Sequence, residues 1–207
     1  MIPSQSGQQP ATLTDRLRLC SRSLLDPLAG ALARAGVSPD ALSVLGMLLH
    51  ALYAWLIASG FWLAAGLLMI LFVPLDSLDG AVARHIGRRP GGFGAFLDST
   101  ADRVAEILLF AGFIVYFQGQ ADVGLTLLAY LALAGSLAVS YVRARAEAVG
   151  ADCRVGLLTR VERYVLIVLT LLLRLPQVGL PLLALGVWIT VAQRVRHVWQ
   201  QTRAQGG

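Results

Sequence analysis

The chain has 207 residues, of which 57% are hydrophobic and 14% charged, with a formal net charge of +5. That composition excludes an ordinary water-soluble domain and describes an all-α integral membrane protein, short enough to form one compact bundle. Every basic residue is Arg, the better bidentate phosphate ligand, and the positive balance fits cytoplasmic loops and anionic headgroups rather than nucleic acid.

The opening MIPSQSGQQPATLTDRLRLC lacks the charged-then-apolar pattern of a signal peptide, so the first spanning helix is expected to act as its own insertion signal. Residues 1–36 read as a tail and an amphipathic juxtamembrane helix over 11–36, with Leu13, Leu17, Leu24, Leu25 and Leu28 set against Arg16, Arg18, Arg22 and Arg34. Such a helix lies on the membrane surface. GVSPDALSVLG then gives a turn and a helix start, Ser38 as N-cap and Pro39 as first residue. Residues 37–207 form the transmembrane domain, with six spans predicted at 40–59, 61–85, 92–117, 122–149, 157–174 and 179–201. Apart from Arg174, the loops near 60, 118–121 and 175–178 carry almost no charge, whereas the other loop arginines gather at the opposite ends. Both termini are therefore expected in the cytoplasm. Trp55, Trp62, Trp188 and Trp199 are expected as interfacial anchors. Cys20 and Cys153 have no metal-ligand spacing, and neither a disulfide nor a zinc site is expected.

The chemistry concentrates in LDSLDGAVARHIGRRPGGFGAFLDSTADR, residues 75–103. At 100° per residue, Asp76, Asp79, Gly80, Ala83 and Arg84 share an arc of about 140° on the second span. Gly94, Asp98 and Asp102 recur every fourth residue on the third span. The Gly/Pro-rich link makes the two spans antiparallel neighbours, so the carboxylates converge near the cytoplasmic end. Insertion scales put each carboxylate at a cost of about 2.5–3.5 kcal/mol within a membrane. Two readings offset that cost. Arg84 and Arg103 form structural ion pairs with the aspartates, or divalent cations bind between them, since oxygen-only ligand sets suit Mg²⁺ or Mn²⁺ and Mg²⁺ commonly shares its shell with substrate phosphates.

The pattern D-x-x-D-G-x-x-A-R, a short gap, then G-x-x-x-D-x-x-x-D resembles the signature of the CDP-alcohol phosphotransferases, filled by Asp76, Asp79, Gly80, Ala83, Arg84, Gly94, Asp98 and Asp102. Nine residues separate Arg84 from Gly94, one more than the commonest form. The resemblance implies six spans behind an amphipathic helix, a homodimer, and displacement of CMP from a CDP-linked lipid by an alcohol. It implies Asp76, Asp79, Asp98 and Asp102 around Mg²⁺ or Mn²⁺, as two ions, with Asp102 also the general base. Gly80, Ala83, Arg84 and Gly94 would line the CDP pocket. Asp40 and Ser43 open the first span at the same face and are candidates for holding the nucleotide, or simply caps.

Ser140 and Arg143 share a helix face, as do Arg160 and Arg163, while Arg194 and Arg196 point about 160° apart, with Arg194 taken to face inward. A serine with several arginines makes an anion pocket, which favours a phosphorylated acceptor over choline or ethanolamine. SYVRARAE and the Gln193–Arg194 pair resemble stretches of the prokaryotic phosphatidylinositol-phosphate synthases and their archaeal relatives, implying that Ser140, Arg143, Arg160, Arg163 and Arg194 hold inositol phosphate. TRVER departs from that pattern at Thr159, and Arg143 replaces a lysine. The expected activity is transfer of a phosphatidyl-type group from CDP-diacylglycerol to inositol phosphate at the cytoplasmic face of the cell membrane. The alternatives are a phosphatidylglycerophosphate synthase using glycerol 3-phosphate and, in another class, a divalent-cation carrier. Charge confined to one membrane face weighs against the carrier. His50, His85 and His197 receive no role, and Glu106 is expected to pair with Arg103.

Overall fold

The computed structural model describes residues 26–72, 75–88 and 91–205, with the backbone alone at 75–77 and 204–205. Among these residues the chain is entirely helical: α1 (residues 26–34), α2 (Pro39–Ala58), α3 (Trp62–Phe72), α4 (Leu75–His85), α5 (Gly92–Gly119), α6 (Val123–Ala148), α7 (Arg160–Leu173) and α8 (Pro176–Gln205). Of the juxtamembrane helix expected over 11–36, residues 11–25 lie outside the described residues. Its remainder, α1, docks Ala29, Leu32 and Ala33 on Leu42 of α2 and on Leu78, Ala81 and Val82 of α4, while Leu28 faces outward.

Local signals set the helix ends. Ser38 accepts a hydrogen bond from the Ala41 amide at 3.1 Å and Pro39 opens α2, where its missing N–H leaves no donor unsatisfied. Asp122 caps α6 through the Leu125 amide at 2.9 Å, and Arg174 closes α7 in the left-handed region. The span expected at 61–85 is covered by two helices, α3 and α4, and α8 starts at Pro176 rather than near 179 and runs, as expected, through Pro181. The backbone bond forfeited at Pro181 is outweighed by burial of Leu180, Leu183 and Ala184 immediately around it.

Three helices, α2, α6 and α8, are long and apolar enough to cross a membrane, and α3 is a shorter apolar helix. Tyr53, Ile57, Met69, Phe110, Phe113, Leu171 and Leu183 build a central core from α2, α3, α5, α7 and α8. Leu48, Leu71, Val115, Leu127, Leu169 and Leu185 point outward, a distribution suited to lipid as solvent. Of the tryptophans expected as interfacial anchors, Trp55, Trp188 and Trp199 are exposed, whereas Trp62 is 9% exposed and belongs to the core. Its Nε1 donates to the Ile57 carbonyl at 3.2 Å, and its ring packs edge-on against Tyr116.

Small residues permit close helix approach, the usual packing device where apolar burial gives no net drive. A Cβ on Gly112 of α5 would lie 2.6 Å from the Ala54 carbonyl oxygen and 2.9 Å from its Cα, so α2 and α5 touch backbone to backbone. Neither atom can rotate away. Gly112→Val is expected to lower stability in detergent by about 1–3 kcal/mol or more, whereas Gly119→Ala, with open space around it, should be near neutral. Thermal unfolding followed by size-exclusion chromatography measures both.

Candidate active site

The α2–α5 contact brings the hydroxyl-bearing N-terminal half of α2 against the aspartate stripe of α5, with α4 closing the third side. Asp79, Asp98 and Asp102 line one small cavity of about 20 Å³ together with Ser43, Gly46, Met47 and His50 of α2 and Ala101 and Ala105 of α5. That is room for about one water-sized occupant. Asp76 lies in the first turn of α4, and its side chain falls outside the described residues.

Asp79 and Asp102 already have hydrogen-bond donors. Asp79 Oδ2 accepts from Ser43 Oγ at 2.7 Å and Oδ1 from the Gly80 amide at 2.6 Å. Asp102 takes both arms of the Arg160 guanidinium, one at 2.5 Å, and Arg103 stands 3.8 Å away. Asp79 and Asp102 are thus drawn toward different donors, and no three His, Cys, Asp or Glu side chains among the described residues are gathered closely enough to hold a metal. The donor chemistry nevertheless fits a hard cation: carboxylate oxygens from two helices line an ion-sized space.

Below Asp102, one turn along α5, Glu106 anchors a buried network. Arg163 of α7 donates to Glu106 Oε1 through Nη2 at 2.7 Å and Nε at 3.1 Å, and to the Leu158 carbonyl through Nη1 at 3.2 Å. Arg103 donates to Oε2 at 2.5 Å and to the Ser140 hydroxyl, while Ser136 donates to Oε1 at 3.0 Å. The expected Arg103–Glu106 pair is present, but the dominant partner is Arg163, which sequence reasoning assigned to a phosphate. Arg194 faces inward as expected, at 3% exposure, and ties α8 to the Val155 and Val139 carbonyls at 2.9 and 2.6 Å. Arg143 is not drawn into this group. It is exposed and pairs with Glu147 one turn along its own helix at 2.9 Å.

Around the expected nucleotide side, Ser43 sits on Asp79, but Asp40 is engaged elsewhere: Arg88 grips it with both arms at 2.7 and 3.2 Å. This contact holds the Arg88 guanidinium more firmly protonated than usual. A Cβ on Gly94 would lie 2.9 Å from Arg88 Cζ, so the missing side chain leaves space for that fork. Gly80 and Arg84 are exposed and Ala83 is half-buried on α4. Arg88 and His50 were not singled out by sequence; the available signal for His50 was its seven-residue spacing from Ser43, two turns along one face.

Residues 36–195 match the model of the CDP-alcohol phosphatidyltransferase family, and the chain belongs to that family of phosphotransferase enzymes. It is 41% identical to the phosphatidylinositol phosphate synthase of Cutibacterium acnes over 142 residues, 68% of each chain. It is 33% identical to the archaetidylinositol phosphate synthase of Pyrococcus horikoshii over 88% of this chain and 95% of that one. Its fold matches solved structures of Mycobacterium tuberculosis phosphatidylinositol phosphate synthase at 32% identity. The form with CDP-DAG bound gives a TM-score of 0.78 over 86% of this chain and 94% of the other. The complex with manganese and citrate gives 0.77 over 84% and 88%.

Proposed function

We propose that this enzyme transfers the phosphatidyl group of CDP-diacylglycerol to inositol phosphate and releases CMP. The observation that carries the reading is the shared cavity of Asp79, Asp98 and Asp102, in a chain whose relatives make inositol phospholipids. Mg²⁺ or Mn²⁺, as the two ions the signature implies, would be held by Asp76, Asp79, Asp98 and Asp102. When bound, it supplies positive charge against the diphosphate and the departing CMP. Ser43 fixes the rotamer of Asp79. Gly80 and Gly94, lacking side chains, leave the backbone approachable for the nucleotide, alongside Ala83 and Arg84.

The proton chemistry belongs to Asp102. An inositol hydroxyl oxygen attacks the phosphorus bonded to the diacylglycerol oxygen, its proton passes to Asp102, and the P–O bond to CMP breaks with the electron pair leaving on CMP. Arg160 reaches Asp102 from the first turn of α7, which places a guanidinium where the acceptor's own phosphate would approach the base. Across Asp102 and Glu106, three guanidiniums (Arg103, Arg160 and Arg163) face two carboxylates. The excess positive charge supports an anionic acceptor, with Ser140 and Arg194 beside it. This reading includes six spans, both termini and the active site on the cytoplasmic side of the cell membrane, and a homodimer.

The test is CMP release from CDP-diacylglycerol by purified protein, with Mg²⁺ or Mn²⁺ and a panel of alcohols. Release is expected with inositol phosphate, at least about tenfold less with glycerol 3-phosphate, a difference of about 1.4 kcal/mol, and none with metal chelated. A preference for glycerol 3-phosphate would overturn the acceptor assignment.

A further inference from the structure

Residues 152–159, on the link from α6 to α7, have no regular secondary structure, so their backbone groups need partners from elsewhere. Side chains of α8 supply them. Gln201 Nε2 donates to the Asp152 carbonyl and Arg194 Nε to the Val155 carbonyl, while Gln193 Oε1 accepts from the Leu157 amide and Thr190 Oγ1 from the Leu158 amide, each at 2.9 Å. Thr190 is the fully buried member of this latch. Its hydroxyl donates to the Gly186 carbonyl at 2.8 Å, which commits the proton there and leaves a lone pair for the Leu158 amide.

Leu158 is where the latch meets the site. Its side chain sits over Gly186, where a Cβ would lie 2.3 Å from Leu158 Cδ1. Its carbonyl accepts from Arg163 Nη1 at 3.2 Å. Two residues on, Arg160 opens α7 and grips Asp102, and Arg163 in the same turn grips Glu106. Gly156 closes against the same threonine: its φ is 142°, and a Cβ there would lie 2.4 Å from Thr190 Cγ2. We propose that Thr190 is a positioning residue for the phosphorylated acceptor: by holding Leu158 it fixes the first turn of α7, and with it the guanidiniums of Arg160 and Arg163 at Asp102 and Glu106. Thr190 acts through the backbone, without contact to substrate. The inference rests on the reading that this face of the site takes an anionic acceptor.

Steady-state CMP release by the purified full-length protein, with CDP-diacylglycerol, Mn²⁺ and inositol phosphate, tests it. Thr190→Val keeps the volume and the methyl group but offers the Leu158 amide no acceptor. It is expected to raise the KM for inositol phosphate about 10–100-fold while the KM for CDP-diacylglycerol stays within about twofold. Thr190→Ser keeps the hydroxyl and should bring the acceptor KM back to within about threefold of the unsubstituted value. If Thr190→Val does not purify as a folded protein, Thr190→Ala removes the same hydroxyl with less bulk and carries the same expectation. Loss of folding in both would overturn the proposal, since the hydroxyl would then support the bundle as a whole. An unchanged acceptor KM, an equal rise for both substrates, or no rescue by Thr190→Ser would overturn the positioning role and leave the acceptor reading standing. If the unsubstituted protein takes glycerol 3-phosphate instead, the inositol assignment falls and the same KM split, read with glycerol 3-phosphate, decides the role of Thr190. Release of CMP with neither phosphorylated acceptor would overturn the acceptor reading and this proposal together.

Discussion

Asp102→Asn is expected to cut CMP release at least about 10²–10⁴-fold while the protein remains folded and purifies normally. The amide matches the carboxylate in size and retains an oxygen for a cation, but it has no basicity with which to take the proton of the acceptor hydroxyl. Stability should change little, because the interaction lost is with Arg160, whose side chain is 47% exposed. An ion pair open to water on one side contributes roughly 0–1 kcal/mol, and the Arg160 guanidinium keeps its access to solvent. The kinetic signature separates base from ligand. Loss confined to kcat, with the KM for CDP-diacylglycerol within a few-fold and Mn²⁺ still bound, identifies the proton acceptor. Turnover at the normal rate would remove Asp102 from that role.

The site was legible where chemistry follows helix periodicity. Spacings of three and four residues convert directly into shared faces, and Asp79, Asp98 and Asp102 do line one cavity. The same arithmetic turned Arg160 and Arg163 together toward α5 and Arg194 inward. It could not say which acid each arginine meets, because that depends on the relative rotation and depth of α5, α6 and α7. Arg163 therefore fell to Glu106 rather than standing open, and Arg143 turned to Glu147 although it shares a helical face with Ser140. His50 looked like an isolated polar residue until the Gly112–Ala54 approach set α2 against α5. The start of α2 was readable from its cap at Ser38.

Glu106→Ala is expected to be the most destabilising single change at the site, by about 3–5 kcal/mol. Arg163 is 2% exposed and spends two of its donor groups on Glu106. Removing the carboxylate strands a guanidinium where water cannot reach it and also takes the partner of Arg103 and Ser136. Such a loss exceeds the worth of the intact pair, since the desolvation of Arg163 has already been incurred and only the compensation disappears. Glu106→Gln keeps one acceptor oxygen and should recover part of the loss. Arg163→Met, which deletes the buried charge itself, should be better tolerated than Glu106→Ala. The ordering Glu106→Ala below Glu106→Gln in thermal unfolding midpoint, with the gap narrowed in the Glu106→Ala/Arg163→Met double variant, is the diagnostic result. Equal midpoints for Glu106→Ala and the unsubstituted protein would mean that Arg163 finds water or another acceptor on its own. The network would then be a consequence of the bundle's packing and not one of its supports.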